Sequence, residues 1–272
     1  MISLPPLFVA SLLLLGMISG VLAGLLGIGG GMILVPFLTF LLLQQGVPGE
    51  LVVHSSIATS LAIIMFTSIS SMRAHHKAGA VRWEIVKFIA PGLLLGGFLG
   101  SKVVTHLPTR ELALVFGAFV LFSAYQMFAD KKPKPSRELP GAVGLGAAGT
   151  VIGAASSIVG AGGGFLSVPF MVWSNVPVRN AVATSAALGF PIAVFSSVGY
   201  VVNGWALQGM PAGSTGYIYW PAVACVAAMS VLTAPKGAKL AHSLPVAKLK
   251  RVFAVVLTAV ALSMIQKAVS GF

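Results

Sequence analysis

Apolar residues fill this chain in long unbroken runs, with neither the alternation of a half-buried strand nor the single apolar stripe of a surface helix. Runs interrupted only by glycine and proline clusters or by charges fall at about 5–25, 32–43, 51–72, 84–105 and 110–129, and five more at about 141–159, 165–174, 178–202, 215–234 and 246–268. Residues 1–49, 141–178 and 180–235 contain no Lys, Arg, Asp, Glu or His. A segment apolar on every face has no side to show to water, and about 20 such residues make a helix that crosses hydrocarbon. The pattern predicts an all-α, polytopic membrane protein of ten helical elements, because a helix satisfies its own backbone where no water can. The first run has no basic leader and its hydrophobicity continues well past signal-peptide length, so it is expected to stay in the membrane.

Composition sharpens this reading. Of 272 residues, 57% are hydrophobic and 8% charged, with a net charge of +12; an ordinary soluble domain is about 25% charged. In a soluble protein that positive excess would raise nucleic acid as a partner. Here the basic residues sit in short loops between apolar runs, where the positive-inside bias places them. The expected partners are therefore a small substrate and the lipid bilayer, with a homodimer admitted and no nucleic acid. The single cysteine, Cys225, lies in an apolar run and excludes an internal disulfide. The stretch from Asp130 to Glu138 is charged and proline-rich. It divides the chain into a first membrane repeat at 1–129, a cytoplasmic linker at 130–140 and a second, inverted membrane repeat at 141–272.

The two sets of five elements resemble each other residue by residue. Gly29-Gly30-Gly31-Met32-Ile33-Leu34-Val35-Pro36-Phe37 matches Gly162-Gly163-Gly164-Phe165-Leu166-Ser167-Val168-Pro169-Phe170 at six of nine positions. Ala58-Thr59-Ser60 matches Ala183-Thr184-Ser185, and Lys102, Leu107-Pro108 and Phe116 match Lys239, Leu244-Pro245 and Phe253 at one constant offset. An odd number of elements per half turns the second half upside down, as in the inverted repeats of many secondary transporters. With ten elements and the N-terminus outside, fourteen of the 17 basic residues fall on the inner side, leaving Lys102, Arg110 and Lys267 outside. Were each glycine break a kink in one continuous span, the best split would be nine against eight. The ten-element inverted arrangement is the one that gathers positive charge inside.

The breaks themselves carry the candidate chemistry. Gly27-Ile28-Gly29-Gly30-Gly31 and Gly160-Ala161-Gly162-Gly163-Gly164 precede short apolar runs that rise only about 18 Å and about 15 Å, against roughly 30 Å of hydrocarbon. Entering from opposite sides, they would bring both glycine tips to the midplane, facing each other. A helix N-terminus offers unpaired N–H groups and partial positive charge, and glycine lets a ligand come close. The competing reading is that these glycines allow close helix packing. Their duplication, each time with a proline five residues after the last glycine, favours an anion site. The expected substrate-binding set is Gly29, Gly30, Gly31, Gly162, Gly163 and Gly164, with hydroxyls from Ser56, Thr59, Ser60, Thr184 and Ser185. Spacing at i, i+4 puts Ser56 and Ser60 on one helix face; the alternative is that these hydroxyls bond neighbouring carbonyls. His54 and Arg179 occupy equivalent positions in the two halves and are candidates for gating or coupling. His75 and His76, beside Arg73 and Lys77, are expected in a solvated basic loop.

The five acids, Glu50, Glu84, Glu111, Asp130 and Glu138, all lie near element ends, so no carboxylate is expected mid-membrane to relay protons or hold sodium. No phosphate loop, metal-ligand set, cofactor motif or nucleophile with its base is present, so neither an enzyme nor an ATP-driven pump is expected. The run from Gly24 to Pro36, Ala58-Thr59-Ser60, Gly79 after a basic loop, and the second Gly-Ala-Gly-Gly-Gly-Phe-Leu-Ser-Val-Pro resemble the sulfite exporter TauE/SafE family, also called the 4-toluene sulfonate uptake permease family. The resemblance covers essentially the whole chain. It implies a multi-pass carrier of the plasma (inner) membrane that moves small sulfur-containing anions such as sulfite, sulfoacetate or other organosulfonates without ATP. The alternatives are an anion channel built on the same site and an uptake permease for another small organic or inorganic anion. Arg179 standing where the first half has His54 implies two half-sites that are not equivalent.

Overall fold

The computed structural model describes residues 4–27, 29–129, 137–243 and 247–271. Within them lie ten helices: α1 (Pro6–Leu26), α2 (Gly31–Gln44), α3 (Gly49–Lys77), α4 (Trp83–Val104), α5 (Thr109–Ala129), α6 (Ala142–Val159), α7 (Gly164–Trp173), α8 (Val178–Asn203), α9 (Trp220–Ser243) and α10 (Ala247–Ser270). Eight are long and apolar enough to cross a membrane. The other two, α2 with 14 residues and α7 with 10, follow the glycine breaks. Most of the charged linker and the Leu244-Pro245 match lie outside the described residues.

Two boundaries depart from the hydrophobic runs. α3 continues past the end of its run to Lys77, because hydropathy marks where hydrocarbon ends and not where helical hydrogen bonding ends. α9 begins at Trp220 rather than at 215: Ser214–Thr215 (β1) and Ile218–Tyr219 (β2) pair antiparallel around Gly216, at φ 56°. A left-handed turn residue there stops a helix that apolarity alone would have started earlier.

The broadest helix contacts, α4 with α6, α1 with α9 and α5 with α10, each join one half of the chain to the other. Two of them are glycine seams. A Cβ built on Gly24 of α1 would stand 2.0 Å from the Ala234 carbonyl oxygen of α9, and one on Gly96 of α4 would stand 2.0 Å from that of Thr150 on α6. Gly16 and Gly20 on α1, and Gly92 and Gly100 on α4, continue these seams a turn away on either side or beyond. Lipid tails are as apolar as leucine, so helices in a bilayer associate through close van der Waals contact, and small residues supply it.

Through the middle run the two long helices α3 and α8, antiparallel. Asn180 near the start of α8 donates to the Ala80 carbonyl beyond the end of α3. At the other end Tyr217, which follows α8, stacks on His54 near the start of α3. The polarity of the bundle is inside out relative to a soluble protein. Ser55, Ser56, Thr59, Ser60, Thr184 and Ser185 are buried, while Phe40, Phe122, Phe128, Leu232, Val252 and Leu262 are exposed at the perimeter, where lipid receives them.

The seams yield a direct expectation. Gly96→Val should cost about 1–3 kcal/mol or more through overpacking, because its neighbour is backbone that cannot rotate away. Gly141→Ala, whose Cβ meets nothing within 4 Å, should leave the thermal midpoint unchanged. Thermal unfolding of both variants in detergent checks this.

Candidate functional site

At both glycine breaks the chain doubles back. Gly30 caps α2 at φ 76° and Gly163 caps α7 at φ 79°, a left-handed geometry that any Cβ would strain. A Cβ on Gly30 would lie 2.8 Å from the Ser19 carbonyl oxygen, so α2 starts alongside the body of α1. The Gly30 carbonyl accepts from Ile33 and Leu34, and the Gly163 carbonyl from Leu166 and Ser167. The first N–H groups of α2 and α7 have no acceptor within their own helices. Pro36 and Pro169 lie inside these helices and lack the N–H that would otherwise bond Met32 and Phe165, so each tip also carries a released carbonyl.

The tips touch each other. A Cβ on Gly29 would stand 3.0 Å from the Gly162 Cα, and one on Gly31 would stand 2.1 Å from the Gly160 carbonyl oxygen. Ile64 of α3 and Gly189 of α8 border the contact, which places it near the mid-length of both long helices. Two helix N-termini, each with positive partial charge, converge on one point inside the protein.

Each long helix clasps the other half's break. Ser60 Oγ donates to the Gly160 carbonyl at 2.9 Å, and Ser185 Oγ donates to the Gly27 carbonyl at 2.8 Å. Gly160 and Gly27 end α6 and α1, where carbonyls lose their intrahelical donors. The threonines beside these serines accept backbone N–H groups: Thr59 Oγ1 from Tyr219 at 3.1 Å and Thr184 Oγ1 from Arg82 at 3.0 Å. A third pair follows the same correspondence. A His75 ring nitrogen lies 2.9 Å from the Gly24 carbonyl oxygen, and the Tyr200 hydroxyl donates to the Ser157 carbonyl at 3.0 Å.

All five candidate hydroxyls are thus engaged with backbone in this conformation, since Ser56 Oγ donates to the Val52 carbonyl at 2.7 Å. Ser185 also accepts from Ser167 at 2.9 Å. Beside the tips lies a small cavity of about 10 Å³ bordered by Gly27, Gly29, Ser68, Ser71, Ser185 and Gly189, room for about one water. Ser71 Oγ is buried there without a hydrogen-bond partner among the described residues, and so is Ser156 Oγ, 3.2 Å from where a Cβ of Gly163 would stand. An unmade bond of this kind costs about 1–3 kcal/mol, which a polar occupant would recover. Sequence reasoning missed Ser68, Ser71, Ser156 and Gly189. The signal was a stripe along α3: Ser60, Ser68, Ser71 and His75 recur at helical spacing on one face.

His54 and Arg179 are not brought together. His54 is buried at the start of α3, one ring nitrogen 2.9 Å from the Leu107 carbonyl oxygen and the other 3.3 Å from Thr109 Oγ1. Burial pushes the Tyr217 phenol that stacks on it above the ordinary tyrosine range. Arg179 is exposed at the start of α8, at the opposite end of the antiparallel pair. Each stands six residues, about 9 Å of helix rise, from the clasp serine of its own helix. His75 is a correction: it is helical and 0% exposed, not in a solvated loop. α3 outlasts its apolar run, and the ring turns inward to serve the Gly24 carbonyl. His76 does lie at the exposed surface, accepting from the Trp83 indole at 3.1 Å.

Comparison with known proteins finds relatives described as membrane transporters. A probable membrane transporter protein of Haemophilus influenzae is 36% identical over 261 residues, covering 96% of this chain and 99% of its own. A probable membrane transporter protein of Methanocaldococcus jannaschii is 29% identical over 213 residues, covering 76% of this chain and 74% of its own. YunE of Bacillus subtilis, also described as a probable membrane transporter protein, is 28% identical, with 71% and 78% covered. No solved structure matches the chain. Residues 12–264 match the family described as Sulfite exporter TauE/SafE, and with nearly every helix inside that match, the chain belongs to this family of membrane proteins.

Proposed function

We propose that the chain is a secondary carrier exporting small sulfur-containing anions such as sulfite, sulfoacetate or other organosulfonates, and that the anion binds between the Gly29–Gly31 and Gly162–Gly164 tips. The observation that carries this reading is the convergence of two helix N-termini on one buried contact, with unpartnered hydroxyls, Ser71 and Ser156, beside it. Backbone N–H groups and helix dipoles attract negative charge without adding a lysine or arginine that would bind it too tightly to release. The sulfur chemistry rests on the family.

The conformation described here is the occluded one in this proposal, because a one-water cavity is too small for a sulfur oxyanion. For the anion to enter, a tip withdraws from the opposite long helix and its clasp opens. Ser60 and Ser185 then exchange a carbonyl acceptor for the oxygens of the anion, with Ser56, Thr59 and Thr184 nearby. Opening the Ser60–Gly160 clasp and the Ser185–Gly27 clasp in turn admits the anion from one side and then the other. The antiparallel course of α3 and α8 supports an inverted repeat, with the N-terminus outside and the linker cytoplasmic.

The site has a substitution that separates binding from folding. Gly30 and Gly163 do not, since their positive φ strains any side chain whether or not an anion binds. Gly189 is helical and a Cβ there makes only ordinary contacts, the nearest 3.4 Å from Ser68 Cβ. Gly189→Ala should therefore fold at wild-type yield while reducing sulfite flux into liposomes at least about ten-fold, since the methyl occupies the cavity. Wild-type flux in this variant would move the site elsewhere.

Topology and energetics are tested separately. A reporter fused at Lys134 should read as cytoplasmic and one at Phe272 as external; a periplasmic Lys134 would overturn the proposed orientation. With no carboxylate in the membrane interior, export of a monoanion is expected to run on voltage, about 2.3 kcal/mol per charge at 100 mV or roughly fifty-fold in concentration. In potassium-clamped liposomes, with the substrate's own protonation held constant, flux should track voltage and ignore an imposed pH gradient. Accumulation driven by pH at zero voltage, and lost in His54→Ala or His75→Gln, would show proton coupling instead.

A further inference from the structure

A second site lies on the far side of α3. Arg73 and Lys77 of α3 and Lys239 of α9 border a groove of about 740 Å³ whose remaining walls include Phe66, Val231 and Pro235. α3 and α9 run parallel along it, since Thr59 meets Tyr219, Thr67 meets Ser230 and Ser70 meets Val231. The cations of both helices therefore share one end and the apolar residues the other. From Phe66 to Lys77 the rise is about 16 Å and from Val231 to Lys239 about 12 Å, close to the roughly 15 Å of hydrocarbon in one leaflet. No carboxylate is among the described residues that border the groove.

This groove is separate from the anion site proposed above. Ser68 and Ser71 face the cavity at the glycine tips, whereas Phe66 and Arg73 are each two residues away, about 200° around the same helix. Nor does the repeat require its charge. The offset that equates Thr59 with Thr184 carries Arg73 to Val198 and Lys77 to Val202, and only Lys239 keeps its counterpart, Lys102. The cluster of three belongs to one end of the bundle.

We infer that this groove holds an anionic phospholipid, its phosphate at Arg73, Lys77 and Lys239 and an acyl chain along Phe66, Val231 and Pro235. An arginine fork suits phosphate oxygens, and the lysines add point charges. Basic pockets between membrane helices recognise anionic headgroups in this way, and the apolar wall distinguishes a lipid from a free anion.

Delipidated protein in neutral detergent is titrated with dioleoyl phosphatidylglycerol or dioleoyl phosphatidylcholine, and bound lipid is counted by native mass spectrometry. Phosphatidylglycerol should bind more tightly than phosphatidylcholine and raise the thermal midpoint. Arg73→Gln, Lys77→Gln and Lys239→Gln together should weaken that binding roughly ten-fold or more, whereas Lys102→Gln with Arg110→Gln should not change it. In Val231→Trp, phosphatidylglycerol brominated on its acyl chain should quench the added indole more than brominated phosphatidylcholine does. Equal phosphatidylglycerol binding by the triple variant and the wild type would overturn the site. Displacement of the lipid by inorganic phosphate at matched concentration would overturn the lipid assignment in favour of a free-anion site.

Discussion

Irregular backbone inside hydrocarbon is the constraint to which the rest of this molecule answers. Two helices stop at Gly27 and Gly160, deep in the protein, and each leaves carbonyls and N–H groups that lipid cannot satisfy. The fold places the described residues of the two breaks against each other and packs α3 and α8 around them. Serines on the long helices take up the terminal carbonyls, and the glycines bring the backbones close enough for those bonds to form. The groups through which an anion would be held in the proposed site are the same ones that the fold must otherwise keep apart from lipid.

The correspondence between halves is close in hydrogen bonding and loose in side-chain identity. Ser60 and Ser185 do the same work with the same residue, and so do Thr59 and Thr184. His75 and Tyr200 make equivalent bonds to Gly24 and Ser157 with different chemistry. One side of the centre thus carries an imidazole and the other a phenol. In the proposed carrier, an approximately symmetric frame with chemically unequal sides would give the two openings different energies, so affinity and rate could differ between the two faces while the gradient sets the direction of net flux.

The apolar runs made most of the helices legible, because in a membrane hydropathy and helix extent nearly coincide. They diverged where the two part company: at α3, whose last turns are polar, and before α9, where Gly216 turns an apolar stretch into a hairpin. The glycine tips were readable because their motif is duplicated. The clasps were not, because an acceptor such as the Gly160 carbonyl has no sequence signature and the partner lies a hundred residues away. Ser71 and Ser156 look like any other membrane serine until the structure leaves them without a partner, and His75 looked solvated because its neighbours are charged.

The glycine seams also govern how such a chain is made. α1 leaves the ribosome well before α9, the helix whose surface it fits, and α4 must wait for α6. Through most of synthesis the first half therefore sits in the membrane with the glycine faces of α1 and α4 uncovered and the break at Gly27 unclasped. The late helices α8 and α9 complete the early ones. Assembly is consequently a post-insertional event with long-range pairing, the slow kind, and a truncated first half would present sticky helix faces to whatever small-residue helix it met.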